Sequence, residues 1–172
     1  MSRAILINLL RFIVLLFIQV FLLKNLALYN LPMAYPYILF LLLLPFGIPN
    51  ILLFALAFVT GLCIDAFYDT PGLHAAACVI LAFVRILFIN ITVSKEGFDN
   101  EPEPTLSAMG VRWFLAYSVT LTLVHHFVIF AIESFSLSGL QYFIGRFLAS
   151  SFFTIILMLI SGLIFFRRKE RK

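Results

Sequence analysis

Charged residues are scarce in this sequence. Only 12% of its 172 residues are Asp, Glu, Lys or Arg, whereas 63% are hydrophobic and 21 are phenylalanines. A soluble domain of this size carries roughly a quarter charged residues, so the chain has too little polar surface to coat a water-exposed globule. The composition therefore excludes an ordinary soluble domain and indicates a protein whose solvent is lipid.

Cysteines are few and the common catalytic motifs are missing. The two cysteines, Cys63 and Cys78, fall inside apolar segments, which leaves no disulfide framework and no metal-ligand spacing. The sequence has no G-x-S-x-G, no H-E-x-x-H and no glycine-rich phosphate loop. His125 and His126 are adjacent, so on a helix they point about 100° apart and do not form a zinc site. We therefore expect no enzyme activity, no catalytic residue and no metal or other cofactor.

The basic residues are concentrated at the C-terminus. Five of the last six positions are Arg or Lys, and they directly follow an apolar stretch. Such a cluster is typical of a cytoplasmic anchor that contacts anionic lipid headgroups. We therefore expect contacts with membrane lipids and no binding of nucleic acid.

The apolar stretches predict an all-α polytopic membrane protein with about six transmembrane helices and a single integral membrane domain over residues 1–172. The first stretch lacks a small-x-small cleavage site after it, so we expect a permanent helix rather than a signal peptide. The predicted spans are residues 4–23, 32–46, 50–68, 73–93, 111–132 and 142–166, with a mobile acidic loop over 94–110 and a basic tail over 167–172.

The second predicted span is short, because prolines open and close it. Its residues 32–46 would form roughly 22 Å of helix, against a hydrocarbon core of about 30 Å. It is either a short span or a re-entrant piece.

The basic tail and Arg3 place both termini in the cytoplasm, which requires an even number of crossings and favours six. We therefore expect a multi-pass membrane protein with both termini in the cytoplasm.

The densest polar cluster joins the third and fourth predicted spans. Gly61 permits close helix approach, and Asp65 follows one turn before the end of its helix. Pro71 and Gly72 then supply a sharp reversal. Arg146 has the same predicted depth, so it can pair with Asp65. The alternatives are a structural clamp between helices and a site for a partner or ligand.

That pairing has competitors, and further charges lie deeper. Asp69 and Glu133 can also pair with Arg146. Arg85 and Arg11 each lie roughly 10–12 Å from the inner end of a predicted helix. Their side chains either extend to the headgroups or contact a partner helix.

The chain resembles the rod shape-determining protein MreD family over nearly its whole length. The likeness lies in length, number of spans, basic tail and the proline-interrupted second segment. Its most specific part is Gly61-Leu62-x-x-Asp65 followed by Gly72, since the family has a similar G-[LF]-x-x-D stretch before a glycine-containing turn.

The resemblance implies a non-enzymatic scaffold of the bacterial cell-elongation machinery in the inner (cytoplasmic) membrane, which supports rod shape and peptidoglycan synthesis and takes no small-molecule substrate. Such a subunit would bind MreC and, through it, the complex of RodA, a class B transpeptidase and MreB. The family also resembles the substrate-binding subunits of energy-coupling factor transporters, which share its fold. A vitamin-binding subunit of that kind, with a pocket around Asp65, His74 and Arg146, is therefore the alternative function.

Overall fold

The computed structural model describes residues 3–24, 33–93, 103–134 and 140–165, and within these ranges all regular structure is helical. The basic tail, residues 167–172, lies outside the described residues, as does most of the predicted acidic loop. The helices are α1 (Arg3–Phe17, continued by a π-helical turn, Ile18–Leu23), α2 (Leu39–Leu42, preceded by a 3-10 turn, Pro36–Ile38), α3 (Asn50–Tyr68), α4 (Leu73–Thr92), α5 (Leu106–Met109), α6 (Val111–Ser134) and α7 (Leu140–Phe165).

Five of these helices are long and apolar enough to cross a membrane. They cover Ile5–Leu23, Asn50–Tyr68, Leu73–Thr92, Val111–Glu133 and Phe143–Leu163. Large apolar side chains stand on their outer faces; Ile51 is 86% exposed and Ile91 is 83% exposed. On helices long enough to cross a membrane, such exposed apolar surface is typical of contact with lipid or with a partner helix. The prediction of an all-α, multi-pass membrane protein is confirmed, and the five ranges lie close to five of the six predicted spans.

The remaining predicted span, residues 32–46, does not form a membrane-length helix. Its described part contains only the 3-10 turn and the one-turn helix α2. Pro36 suits a helix start, whereas Pro45 cannot continue the helix hydrogen bonding. Residues 34–44 are nevertheless all buried inside the bundle. We call residues 33–49 the broken segment.

The broken segment lies between two helices that run in the same direction. The ends of α1 and α3 meet where Gln19 Nε2 donates to Tyr68 Oη at 2.8 Å and Lys24 Nζ donates to the Phe67 carbonyl. The chain must therefore return from the end of α1 to the start of α3, and the broken segment makes this return. The helices α3, α4, α6 and α7 then pack in chain order against one another.

The predicted acidic loop over 94–110 is only partly a loop. Its described end contains helix α5, whose N-terminus is capped by the Thr105 hydroxyl, which accepts from the Ala108 N–H at 3.3 Å. Glu103 lies 3.4 Å from the Arg11 guanidinium. This ion pair attaches the end of the loop to α1.

Candidate functional site

Asp65 is the centre of the hairpin between α3 and α4. This residue is 4% exposed. Oδ1 accepts from the Thr70 hydroxyl at 3.0 Å and the His74 N–H at 2.9 Å, and Oδ2 accepts from the Gly72 N–H at 3.1 Å and the Ala75 N–H at 3.0 Å. Three of these donors are free N–H groups at the start of α4, where a negative charge is favoured. Asp65 therefore fastens the end of α3 to the start of α4.

The turn itself follows from its sequence. Leu73 N–H donates to the Thr70 carbonyl at 3.1 Å, and Gly72, the third residue of this turn, has φ 86° and ψ −8°. These are type II turn angles, which favour proline at the second position and glycine at the third. Pro71 and Gly72 occupy those positions. Asp69, just before the turn, ends α3 in the left-handed region at φ 56°.

Gly61 brings the two helices of the hairpin into contact. A Cβ at this position would lie within 2.5 Å of the Ala75 nitrogen and of the His74 carbonyl oxygen. Both are backbone atoms, so they cannot move aside as a flexible side chain would. Gly61 and Asp65 therefore act together: the glycine permits the close approach, and the carboxylate then reaches the first N–H groups of α4.

Arg85 binds the broken segment. The side chain is 1% exposed, so it does not extend to the headgroups. Its guanidinium donates to the carbonyls of Leu44 and Pro45 and, through Nε, to the Tyr117 hydroxyl at 3.0 Å. Tyr117 in turn donates to the Leu42 carbonyl at 2.9 Å. The three carbonyls belong to the last residue of α2 and to the residues just after it, where carbonyls have no intrahelical partner.

Side chains from other helices satisfy further backbone groups of the broken segment. Gln19 Nε2 donates to the Ala34 carbonyl at 3.1 Å, and Tyr35 N–H donates to the Thr154 hydroxyl at 2.9 Å. Arg11 Nη1 lies 3.4 Å from the Leu43 carbonyl. Non-helical backbone at membrane depth is tolerated only when protein groups satisfy it. The polar residues of the bundle core therefore support one irregular piece of chain.

A cluster of histidine and tyrosine side chains surrounds the start of the broken segment. The Tyr37 hydroxyl lies 2.9 Å from His74 Nδ1 and 2.8 Å from His125 Nε2. No described group accepts from or donates to His125 Nδ1. Because an orphaned buried N–H is rare, we place the His125 proton on Nε2. It then donates to Tyr37, which donates to His74.

The adjacent histidine has separate partners. His126 Nδ1 lies 2.9 Å from the Thr122 carbonyl, and Nε2 lies 3.0 Å from the Thr154 hydroxyl. Residues 125 and 126 thus hold different parts of the core. Among the described residues, no three His, Cys, Asp or Glu side chains are arranged to hold a metal ion.

The sequence left three possible partners for Arg146, and among the described contacts it does not pair with Asp65. Arg146 lies 3.6 Å from Glu133, one of the predicted competitors, and its guanidinium is 5.2 Å from the centre of the Phe130 ring. This pair joins α6 to α7 and is partly exposed. The remaining predicted site residues, Gly61, Asp65, Pro71 and Gly72, do come together in the hairpin, while Arg85 acts separately on the broken segment.

Sequence reasoning missed the role of Tyr37 and the histidines around it. The available signal was the sequence Tyr35-Pro36-Tyr37 at the start of a proline-broken apolar stretch, since that backbone needs donors and acceptors from elsewhere. His74 and His125 were visible as polar residues in apolar helices, but their common partner was not.

Comparisons of the chain with protein-family models, with curated proteins and with solved structures found no match.

Proposed function

We propose that the chain is a non-enzymatic scaffold subunit of the bacterial cell-elongation complex, as its resemblance to the MreD family implies. It would bind MreC and, through it, RodA, the class B transpeptidase and MreB. The proposed topology has six crossings of the cytoplasmic membrane, the broken segment being the second, with both termini in the cytoplasm.

One observation carries this proposal: the ionisable side chains at membrane depth are engaged inside the chain itself. Asp65 binds four donors of its own hairpin, Arg85 binds backbone carbonyls, and Arg146 pairs with Glu133. Intramembrane charges usually mark a transport path or a buried ion pair. Here they stabilise the fold, and the apolar outer faces remain as the surface for neighbouring helices.

The transporter alternative has less support. A vitamin site needs several polar groups that converge on a cavity. The three side chains expected to form it have different partners: the Asp65 carboxylate binds N–H groups and the Thr70 hydroxyl of its own hairpin, the His74 ring binds Tyr37, and Arg146 binds Glu133. Among the described contacts, none joins the side chains of Asp65, His74 and Arg146 to one another.

Copurification tests the scaffold proposal. The tagged chain is expressed with MreC from the same cell, extracted in mild detergent and purified. We expect MreC to copurify. Single alanine substitutions of lipid-facing residues, one on each helix, should include one that abolishes copurification without altering the unfolding temperature. Suitable positions on four helices are Ile51, Ile91, Phe127 and Phe152, all exposed in the structure.

Depletion in the source cell gives a second readout. Loss of an elongation scaffold turns rods into round cells, whereas loss of a vitamin-binding subunit produces a growth defect that the vitamin relieves. If MreC never copurifies and depleted cells stay rod-shaped, the scaffold proposal is rejected.

A further inference from the structure

A groove lies between α1 and α3, over the broken segment. Its volume is about 620 Å³, within the range of small-molecule sites. Leu9 and Phe12 of α1 form one wall, Leu52 and Leu56 of α3 form the other, and the broken segment around Gly47 forms the floor. The groove exists because α2 is a single turn and does not fill the space between its two neighbours.

The groove is confined to one half of the membrane. Along α3 its lining runs from Leu52 to Thr60, which corresponds to about 12 Å of helix. Beyond this depth the two walls are joined, because Gln19 of α1 donates to the Tyr68 hydroxyl of α3 at 2.8 Å. One leaflet contributes about 15 Å of hydrocarbon, half of a core of about 30 Å. The groove therefore lies in the leaflet around the first half of α1.

The lining offers hydrocarbon and almost no hydrogen-bonding groups. Its polar side chains are Asn8 and Thr60. The Thr60 hydroxyl donates to the Leu56 carbonyl of its own helix at 2.6 Å, and Asn8 Oδ1 accepts from Arg11 at 2.8 Å. A polar ligand would lose its water without gaining partners here.

We propose that this groove binds one acyl chain of a membrane phospholipid. A partner helix crosses the whole core of about 30 Å and needs about 20 residues, so a groove of about 12 Å would hold less than half of it. An acyl chain extends through one leaflet only, and its length matches that of the groove. The bound chain fills the space that a full second helix would otherwise occupy.

Native mass spectrometry of the purified full chain tests this proposal. We expect the wild type to leave its detergent micelle with one phospholipid attached. Gly47→Trp should abolish that species, because a Cβ at Gly47 has no atom within 4 Å and the indole can enter the groove. The control is Phe83→Trp, which lies on the exposed face of α4 and should retain the lipid. Equal unfolding temperatures show that both variants fold.

A photo-crosslinking amino acid at Leu52 identifies the occupant in cells. An adduct with phospholipid supports the proposal, and an adduct with a protein overturns it in favour of a partner helix. A wild-type protein without bound lipid, or equal lipid retention in Gly47→Trp, also overturns it. A readout on MreC is not involved, so failure here leaves the scaffold proposal standing.

Discussion

Replacing Asp65 by Asn isolates the contribution of the hairpin carboxylate. The two residues have nearly the same shape, but the amide has one acceptor oxygen where the carboxylate has two. One oxygen of Asp65 accepts from Thr70 and His74, and the other accepts from Gly72 and Ala75. In either orientation of the amide, its NH2 group faces two donors. The variant therefore loses two of the four hydrogen bonds.

The expected destabilisation follows from those two bonds. Hydrogen bonds to a charged group are worth about 1.5–3 kcal/mol each, so the loss is about 3–6 kcal/mol. For a protein of this size, 1 kcal/mol corresponds to about 2–4 °C in unfolding temperature. We therefore expect Asp65→Asn to lower the unfolding temperature by at least about 6 °C. The assay is thermal unfolding in mild detergent, followed by the fluorescence of the single tryptophan.

The matched control is Asp69→Asn, four residues away in the same hairpin. Asp69 is exposed and adopts a left-handed conformation at φ 56°, which asparagine also adopts readily. Both variants remove one negative charge. Only Asp65→Asn also leaves hairpin donor groups without an acceptor. Asp69→Asn should stay within about 0.5 kcal/mol of the wild type. Equal unfolding temperatures for the two variants would refute the role assigned to Asp65.

Three further variants probe the packing and the broken segment in the same unfolding assay. Gly61→Ala should destabilise the protein by about 1–3 kcal/mol because its methyl group meets backbone atoms of α4. Gly145→Ala, with open space around it, should be neutral or stabilising. A larger loss of stability in Gly145→Ala than in Gly61→Ala would contradict the close approach of α3 and α4. Arg85→Met should cost about 2–6 kcal/mol, because the buried Leu44 carbonyl and the buried Tyr117 hydroxyl each lose a donor. Arg112→Met, at an exposed position, should change little. Tyr37→Phe should cost about 1–3 kcal/mol, since two histidine rings lose a partner; an unchanged unfolding temperature counts against the buried cluster.

The long helices could be predicted from the sequence because lipid imposes a simple requirement. A stretch of about 20 apolar residues satisfies its own backbone and needs no other information. The hairpin was predictable for a related reason, since Gly61, Asp65 and the Pro71-Gly72 turn act within about 15 residues of one another. Local sequence therefore contains most of what their geometry requires.

The broken segment was not predictable in the same way. Its free carbonyls and N–H groups are satisfied by residues far away in the chain, such as Arg85 and Thr154. The partner of Arg146 stayed open among Asp65, Asp69 and Glu133 for the same reason. Asp65 and Glu133 have about the same predicted membrane depth as Arg146, so depth did not distinguish them. The packing of α6 against α7 brings Glu133 to Arg146.

The contact between Tyr35 and Thr154 spans 119 residues of sequence, and this separation bears on how the protein is made. At about 5–20 residues per second, the ribosome reaches Thr154 roughly 6–24 s after Tyr35. During that interval the broken segment has no helix of its own to shelter its peptide groups from lipid. Its carbonyls bind residues of α1, α4 and α6, but the Tyr35 N–H has its partner on the last helix. We therefore expect this end of the broken segment to settle in its final position only after α7 has been made.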